Sequence, residues 1–171
     1  MIIDGAFFTG DISIAGLNVN DAESPTVRAK IDNLMSCVNR YEPKYLEYLL
    51  GEELSRRFID YVGSKSKGND AFDSLLGKLV TETGDNKYSP IAYYVYFYFV
   101  RGNQQQATIL GVKRFEEDEE LVSPNTMLIY AWNNMADMTY KVYRYLCDNK
   151  DKYEGWRFDR HLLEKINSFG L

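Results

Sequence analysis

The chain has 171 residues, an apolar fraction of 45%, a charged fraction of 26% and a net charge of −5. One domain of this size buries a sizeable core without disulfide or metal staples, and the acidic balance argues against a dedicated nucleic-acid binder, which would carry a basic face. Its longest apolar run, Ile91 to Val100, is about half the roughly twenty residues that a membrane-crossing helix needs.

The first twenty residues hold three glycines and a short alternation at Ile12, Ile14 and Leu17. They read as an extended arm or strand, residues 1–20, ahead of a single helical domain, residues 21–171. Such an arm packs on a neighbouring chain or folds back on its own domain, and the residues leave both open. The start also lacks the basic stretch and apolar core of a signal peptide, so a cytoplasmic site of synthesis is expected.

The prolines supply the punctuation. Ser24-Pro25, Ser89-Pro90 and Ser123-Pro124 each set a hydroxyl before a proline at the first helical position, where the missing N–H costs nothing. Glu42-Pro43 reads as a fourth start, its carboxylate near the positive end of the helix dipole. Behind Pro25, the residues Val27, Ile31, Leu34, Val38 and Tyr41 fall at helical spacing. Tyr45, Leu46, Leu49 and Leu50 follow, and Gly51 is expected to cap or bend the chain. Leu54, Phe58, Tyr61 and Val62 extend a helix to Gly63, residues 64–69 read as a loop, and Asp70 opens another segment through Val80.

Pro90 to Arg101 differs in kind. Ile91 to Val100 is apolar or aromatic on every side; its β-branched and aromatic residues also suit a buried strand, but the Ser-Pro start and Gly102 after the end favour a central buried helix, with tyrosine hydroxyls needing partners. Residues 103–122 break the pattern and read as an extended, β-like excursion or hairpin. It contains Phe115 and the run Glu116, Glu117, Asp118, Glu119 and Glu120. Five consecutive acids do not match the spaced ligands of a calcium loop, so a solvated acidic loop is expected. Pro124 then starts the longest helix, through Leu146, and a short last helix is expected over 159–167. The fold class is thus mainly α, about five to seven helices with an N-terminal arm.

Chemistry is sparse. The single histidine, His161, lies among Arg157, Asp159, Arg160 and Glu164 and reads as a surface residue. Cys37 and Cys147 are far apart and read as two buried free thiols in a reducing compartment. Nucleophile elbows, phosphate-cradling glycine loops and His/Cys clusters at ligand spacing are not found. The expectation is a protein that binds other proteins, with no catalytic, cofactor or metal residues. Fourteen Tyr and nine Phe exceed what such a core needs, and tyrosine suits interfaces.

Five segments carry a resemblance. They are the Phe8-Thr9-Gly10 and Ile12-Ser-Ile14 arm; Tyr41-Glu-Pro-Lys-Tyr-Leu46 with Leu49-Leu50-Gly51 and Leu54; Lys87-Tyr-Ser-Pro-Ile-Ala-Tyr-Tyr-Val-Tyr-Phe-Tyr98; Ala131-Trp-Asn-Asn-Met135; and Asn167-Ser-Phe-Gly-Leu171. Together they resemble the head–tail connector (adaptor or ring) proteins of phages and prophages of Bacteroides-type bacteria, crAss-like phages included. The resemblance implies a virion structural protein that forms a twelve-fold ring of identical subunits below the portal. It would contact portal and neighbouring tail or neck proteins, and DNA would pass through its channel without sequence-specific binding. A heterologous ring needs two different, complementary surfaces on each subunit. The candidates are Phe7, Phe8, Ile12, Ile14, Leu17, Tyr93, Tyr96, Tyr98 and Phe115, with Glu116 to Glu120 facing the channel or a neighbouring ring. Another phage neck or tail-completion protein, and a cellular helical interaction module, are the alternatives.

Overall fold

The computed structural model describes residues 1–17, 24–64, 68–84, 86–109 and 124–168. Five α-helices, α1 (Pro25–Leu50), α2 (Glu52–Ser64), α3 (Asp70–Leu79), α4 (Pro90–Ile109) and α5 (Pro124–Asp148), form the body. Strands β1 (Thr81–Thr83) and β2 (Asn86–Tyr88) pair antiparallel between α3 and α4, with Thr81 opposite Tyr88. The fold is mainly α with this one small extended element.

α4 is the centre. Pro90 at its first position begins it, the backbone N–H of Ile91 bonds the Ser89 hydroxyl at 3.2 Å, and Ile91 to Phe97 are all buried. α1 and α5 pack on either side of it. With aromatic residues on every face, α4 can be enclosed by neighbours on several sides at once. Contrary to expectation, Gly102 does not end it. The helix runs through Gly102 and over 103–109, so the β-like excursion is overturned there; its remainder, 110–122, lies outside the described residues. Asn103, three glutamines and Ala107 are ordinary or good helix formers, and one interior glycine costs only about 1 kcal/mol.

Pro43 is a second correction. It does not start a helix but sits inside α1, which runs unbroken for 26 residues, about 39 Å. An interior proline removes the hydrogen bond to the carbonyl four residues back. Here that carbonyl belongs to Asn39, and both Asn39 and Pro43 lie on the exposed face, where solvent satisfies it. Leu34, Val38, Glu42, Tyr45 and Leu49 form one continuous buried stripe, so Glu42 occupies a core position, not a helix start.

Gly51 does end α1. It adopts φ 82°, its N–H bonds the Glu47 carbonyl at 2.8 Å, and α2 begins at the next residue. The other terminal carbonyls of α1 take donors from far along the chain. The Asp159 N–H reaches Tyr48 O at 2.8 Å, the Arg157 N–H reaches Leu50 O at 3.1 Å, and the Trp156 indole N–H reaches Leu49 O at 2.9 Å. Every carbonyl that a helix end leaves without an internal partner is thereby satisfied. A Cβ on Gly51 would stand 3.0 Å from Cβ of Arg157, so the glycine is what admits this strand of chain.

The expected last helix over 159–167 is a single 3-10 turn, Arg160–Leu163. Beyond it the chain is held by side chains: the Trp132 indole N–H donates to Glu164 O at 2.6 Å, and Asn133 both donates to Ile166 O and accepts from its N–H.

Candidate interaction site

Residues 1–17 fold back onto their own chain. They form two 3-10 turns, Gly5–Phe7 and Gly10–Ile12, in place of a strand. Ile3, Phe7, Phe8 and Ile12 are buried, each contributing about 1.5–3 kcal/mol by leaving water. The first turn rests on α1 and β2, with Lys87 Nζ above the Phe7 ring at 5.8 Å.

One buried carboxylate fastens this segment. The Ile2 N–H donates to both Glu42 oxygens and the Ile3 N–H to one, all at 3.0 Å, while the N-terminal ammonium stands 4.0 Å away. Burial pushes the Glu42 carboxyl above its usual range, and the two N–H groups pull against that rise. The remaining ties are peripheral: Lys30 Nζ donates to Ala15 O at 3.2 Å, and the Tyr130 hydroxyl donates to Asp11 at 2.8 Å.

Beneath the segment runs an aromatic spine. Tyr41 stacks on Tyr98 with centroids 4.3 Å apart and planes 9° from parallel. Tyr94 meets Tyr41, Tyr45, Tyr98 and Trp132, and Phe97 meets Trp132 at 4.9 Å. Tyr45, fully buried, hydrogen-bonds Thr139 at 2.8 Å and so joins α1 to α5; burial raises both its phenol and that of Tyr94. The core tyrosine Tyr45 thus finds its hydroxyl partner inside the chain.

Of the nominated contact residues, Phe7, Phe8, Ile12, Tyr93 and Tyr96 lie in the core of this chain. Ile14, Leu17 and Tyr98 are half-buried against that core. Phe115 and Glu116, Glu117, Asp118, Glu119 and Glu120 lie outside the described residues.

The exposed large apolar side chains are others: Tyr88, Met127, Tyr130 and Tyr140, with Met1. Tyr88 and Tyr130 lie close enough to buried Tyr93, together with Asp11, to push its phenol up to about 12, burial being the larger cause. Exposure 46% at Tyr130 and 51% at Tyr140 separates them from the core tyrosines, a distinction helical spacing does not make when nearly every position is aromatic.

The thiols are corrected too. Cys37 is half-buried and Cys147 exposed, since residue 147 faces outward beside the inward Leu146. His161 is not freely exposed: its ring meets Tyr48 edge-on at 4.4 Å, and Nδ1 lies 3.1 Å from Asp159. The backbone N–H of His161 also donates to that carboxylate and, with the ring, draws its pKa down.

Among the described residues, no three His, Cys, Asp or Glu side chains converge as a metal site, and no helix is long and apolar enough to cross a membrane. Comparison with known protein families, with curated proteins and with solved structures found no match.

Proposed function

We propose that this chain is a head–tail connector: a virion structural subunit that joins a ring of identical copies below the portal, extends the DNA channel and presents a platform for the tail. The observation that carries this reading is where the segments of the resemblance meet. Glu42, from the Tyr41 segment, fastens the arm; Tyr41 and Tyr45 pack on Tyr94 and Tyr98; Tyr94 packs on Trp132; and Asn133 bonds Ile166, one residue before Asn167. The segments beginning at Tyr41, Lys87 and Ala131 thus pack into one spine, with residues just outside the other two bonded to it. A rigid spine wrapped by two non-helical segments suits a subunit whose work is to hold neighbours in register. The net charge of −5 also suits a channel through which DNA must slide, because carboxylates repel phosphates that lysines would hold.

The test is to mix the purified protein with portal rings from the same genome and image them by negative-stain electron microscopy. A collar of added density below the portal is the expected result. Absence of binding, together with absence of the protein from purified virions by mass spectrometry, would overturn the reading in favour of a cellular interaction module.

A further inference from the structure

This acidic protein carries, among its described residues, a groove of the opposite sign. It lies between α3 and the C-terminal half of α5, encloses about 450 Å³, and is lined by Gly77, Lys78, Thr81, Lys141, Val142, Arg144, Tyr145 and Asp148. Lys78, Lys141 and Arg144 are exposed, and among the described residues none has an ion-pair partner within 4 Å. Three cations thus converge with a single carboxylate, Asp148. The floor is apolar, made by buried Val142 and by the Tyr145 ring, which Lys78 Nζ overhangs at 5.5 Å. Gly77 leaves the wall open, with nothing within 4 Å of where a Cβ would stand. The clefts around Gly51 behave differently. Glu52, Glu53, Arg56 and Arg157 line the larger one, of 560 Å³, and Arg56 already pairs with Glu52 at 2.9 Å.

We propose that this groove receives the acidic run Glu116-Glu-Asp-Glu-Glu120 of a second copy of the chain. Charge is the first argument: like-signed groups held together repel, and a strip of carboxylates is the partner that relieves them. The run is also bracketed by Phe115 and Leu121, apolar residues that suit the floor.

Chain length decides whose run it is. Within one copy the run precedes Pro124, and Lys141 and Arg144 stand seventeen and twenty residues along α5 from that proline. At the rise of a helix they are about 26 and 30 Å away. Fully extended chain spans at most about 3.6 Å per residue, so Glu120 reaches about 14 Å from Pro124, Asp118 about 22 Å and Glu116 about 29 Å, and only the first residues of the run come within range of Lys141 in the same chain. The run as a whole cannot lie in its own chain's groove. A contact between two different surfaces of identical subunits is heterologous and propagates head to tail, closing into a ring when the rotation permits. The inference deepens the ring reading by naming the contact, and its test needs no portal.

Two full-length variants isolate the halves of the contact. One carries Lys78→Glu, Lys141→Glu and Arg144→Glu with its run intact; the other carries Glu→Gln at 116, 117, 119 and 120 and Asp118→Asn with its groove intact. In sedimentation velocity the wild type is expected to grow with concentration, and each variant alone to stay monomeric. Their mixture is expected to stop at a one-to-one pair, because each member has only one working surface. A labelled peptide of residues 115–121 should bind the second variant about tenfold more tightly than the first, and the difference should shrink as salt is raised. Circular dichroism confirms that each variant is folded, and Lys→Gln, Arg→Gln versions of the groove serve if the reversals are not.

Failure of the mixture to pair, with no groove resonances moved by peptide at millimolar concentration, would overturn the inference. So would groove-dependent binding of duplex DNA that displaces the peptide, since the groove would then be a phosphate site. Either result leaves portal binding to be judged by its own experiment.

Discussion

The two ends of the described chain both wrap the helices in 3-10 turns, yet they attach by opposite chemistry. The C-terminal segment is stitched: its backbone and indole donors enter the end of α1, and it exchanges further bonds with α5. The N-terminal segment is plugged. Its backbone-to-backbone bonds among the described residues are all internal, and it is held by four buried apolar side chains, one carboxylate and a few surface ties. A stitched segment cannot leave without giving up the bonds that close the end of α1, whereas a plugged one gives up no backbone-to-backbone bond to the rest of the described chain. The difference separates what completes the fold from what is free to be exchanged.

Breaking the stitch should cost most. Trp156→Ala removes a ring packed on Tyr143 and the donor to Leu49 O, and about 3 kcal/mol of stability should be lost by urea denaturation. Gly51→Ala meets a backbone conformation unfavourable for a side chain and a close neighbour in Arg157; about 2 kcal/mol should go, across the whole unfolding transition.

Breaking the plug should cost less and act locally. Glu42→Ala leaves the Ile2 and Ile3 N–H groups without their acceptor; fraying of the first two residues readmits water while Phe7, Phe8 and Ile12 stay docked, so about 1.5 kcal/mol should be lost. Hydrogen exchange and protease cleavage should quicken within residues 1–17 while α4 and α5 stay protected. Glu42→Gln sharpens the point through pH. A carboxyl raised by burial adds most stability below the usual glutamate range and loses it as pH rises through its folded pKa. Wild type should therefore lose ground to Glu42→Gln on going from pH 4 upward, as read from melting temperatures. Smallest of all, Tyr130→Phe removes an exposed tie to Asp11 and should cost under about 0.5 kcal/mol.

Much of the helical body was legible because its signals are local. Three Ser-Pro pairs mark three helix starts, Gly51 marks an end, and the all-apolar stretch after Pro90 marks the centre. What escaped was long-range or ambiguous. Pro43 misled because a proline's local effect is the same at a start and within a helix; only the continuation of the Leu34–Val38 stripe through Glu42 reveals the difference. The hairpin was announced by Thr81-Glu-Thr83 before Gly84, which takes φ 60° at the first turn position, but three residues per strand give little alternation to read. The arm's docking was not readable at all. Its acceptor is Glu42, some forty residues away, and no periodicity links the two. The burial of Phe7, Phe8, Ile12, Tyr93 and Tyr96 within the chain was hidden for the same reason, since in a chain this aromatic burial is decided by the partner and not by the residue.

The closure of α1 by residues 156–159 also sets an order of events. A ribosome makes α1 first and the residues that finish it more than a hundred positions later. Until they emerge, the carbonyls of Tyr48, Leu49 and Leu50 are left to water, and the junction with α2 has no lid. Folding can then begin early along the nascent chain, but it is sealed only once residues 156–159 have left the ribosome. A ribosome that stalls before Trp156 would leave a chain with its helices written and its fold unlocked, a ready target for degradation before any assembly could recruit it.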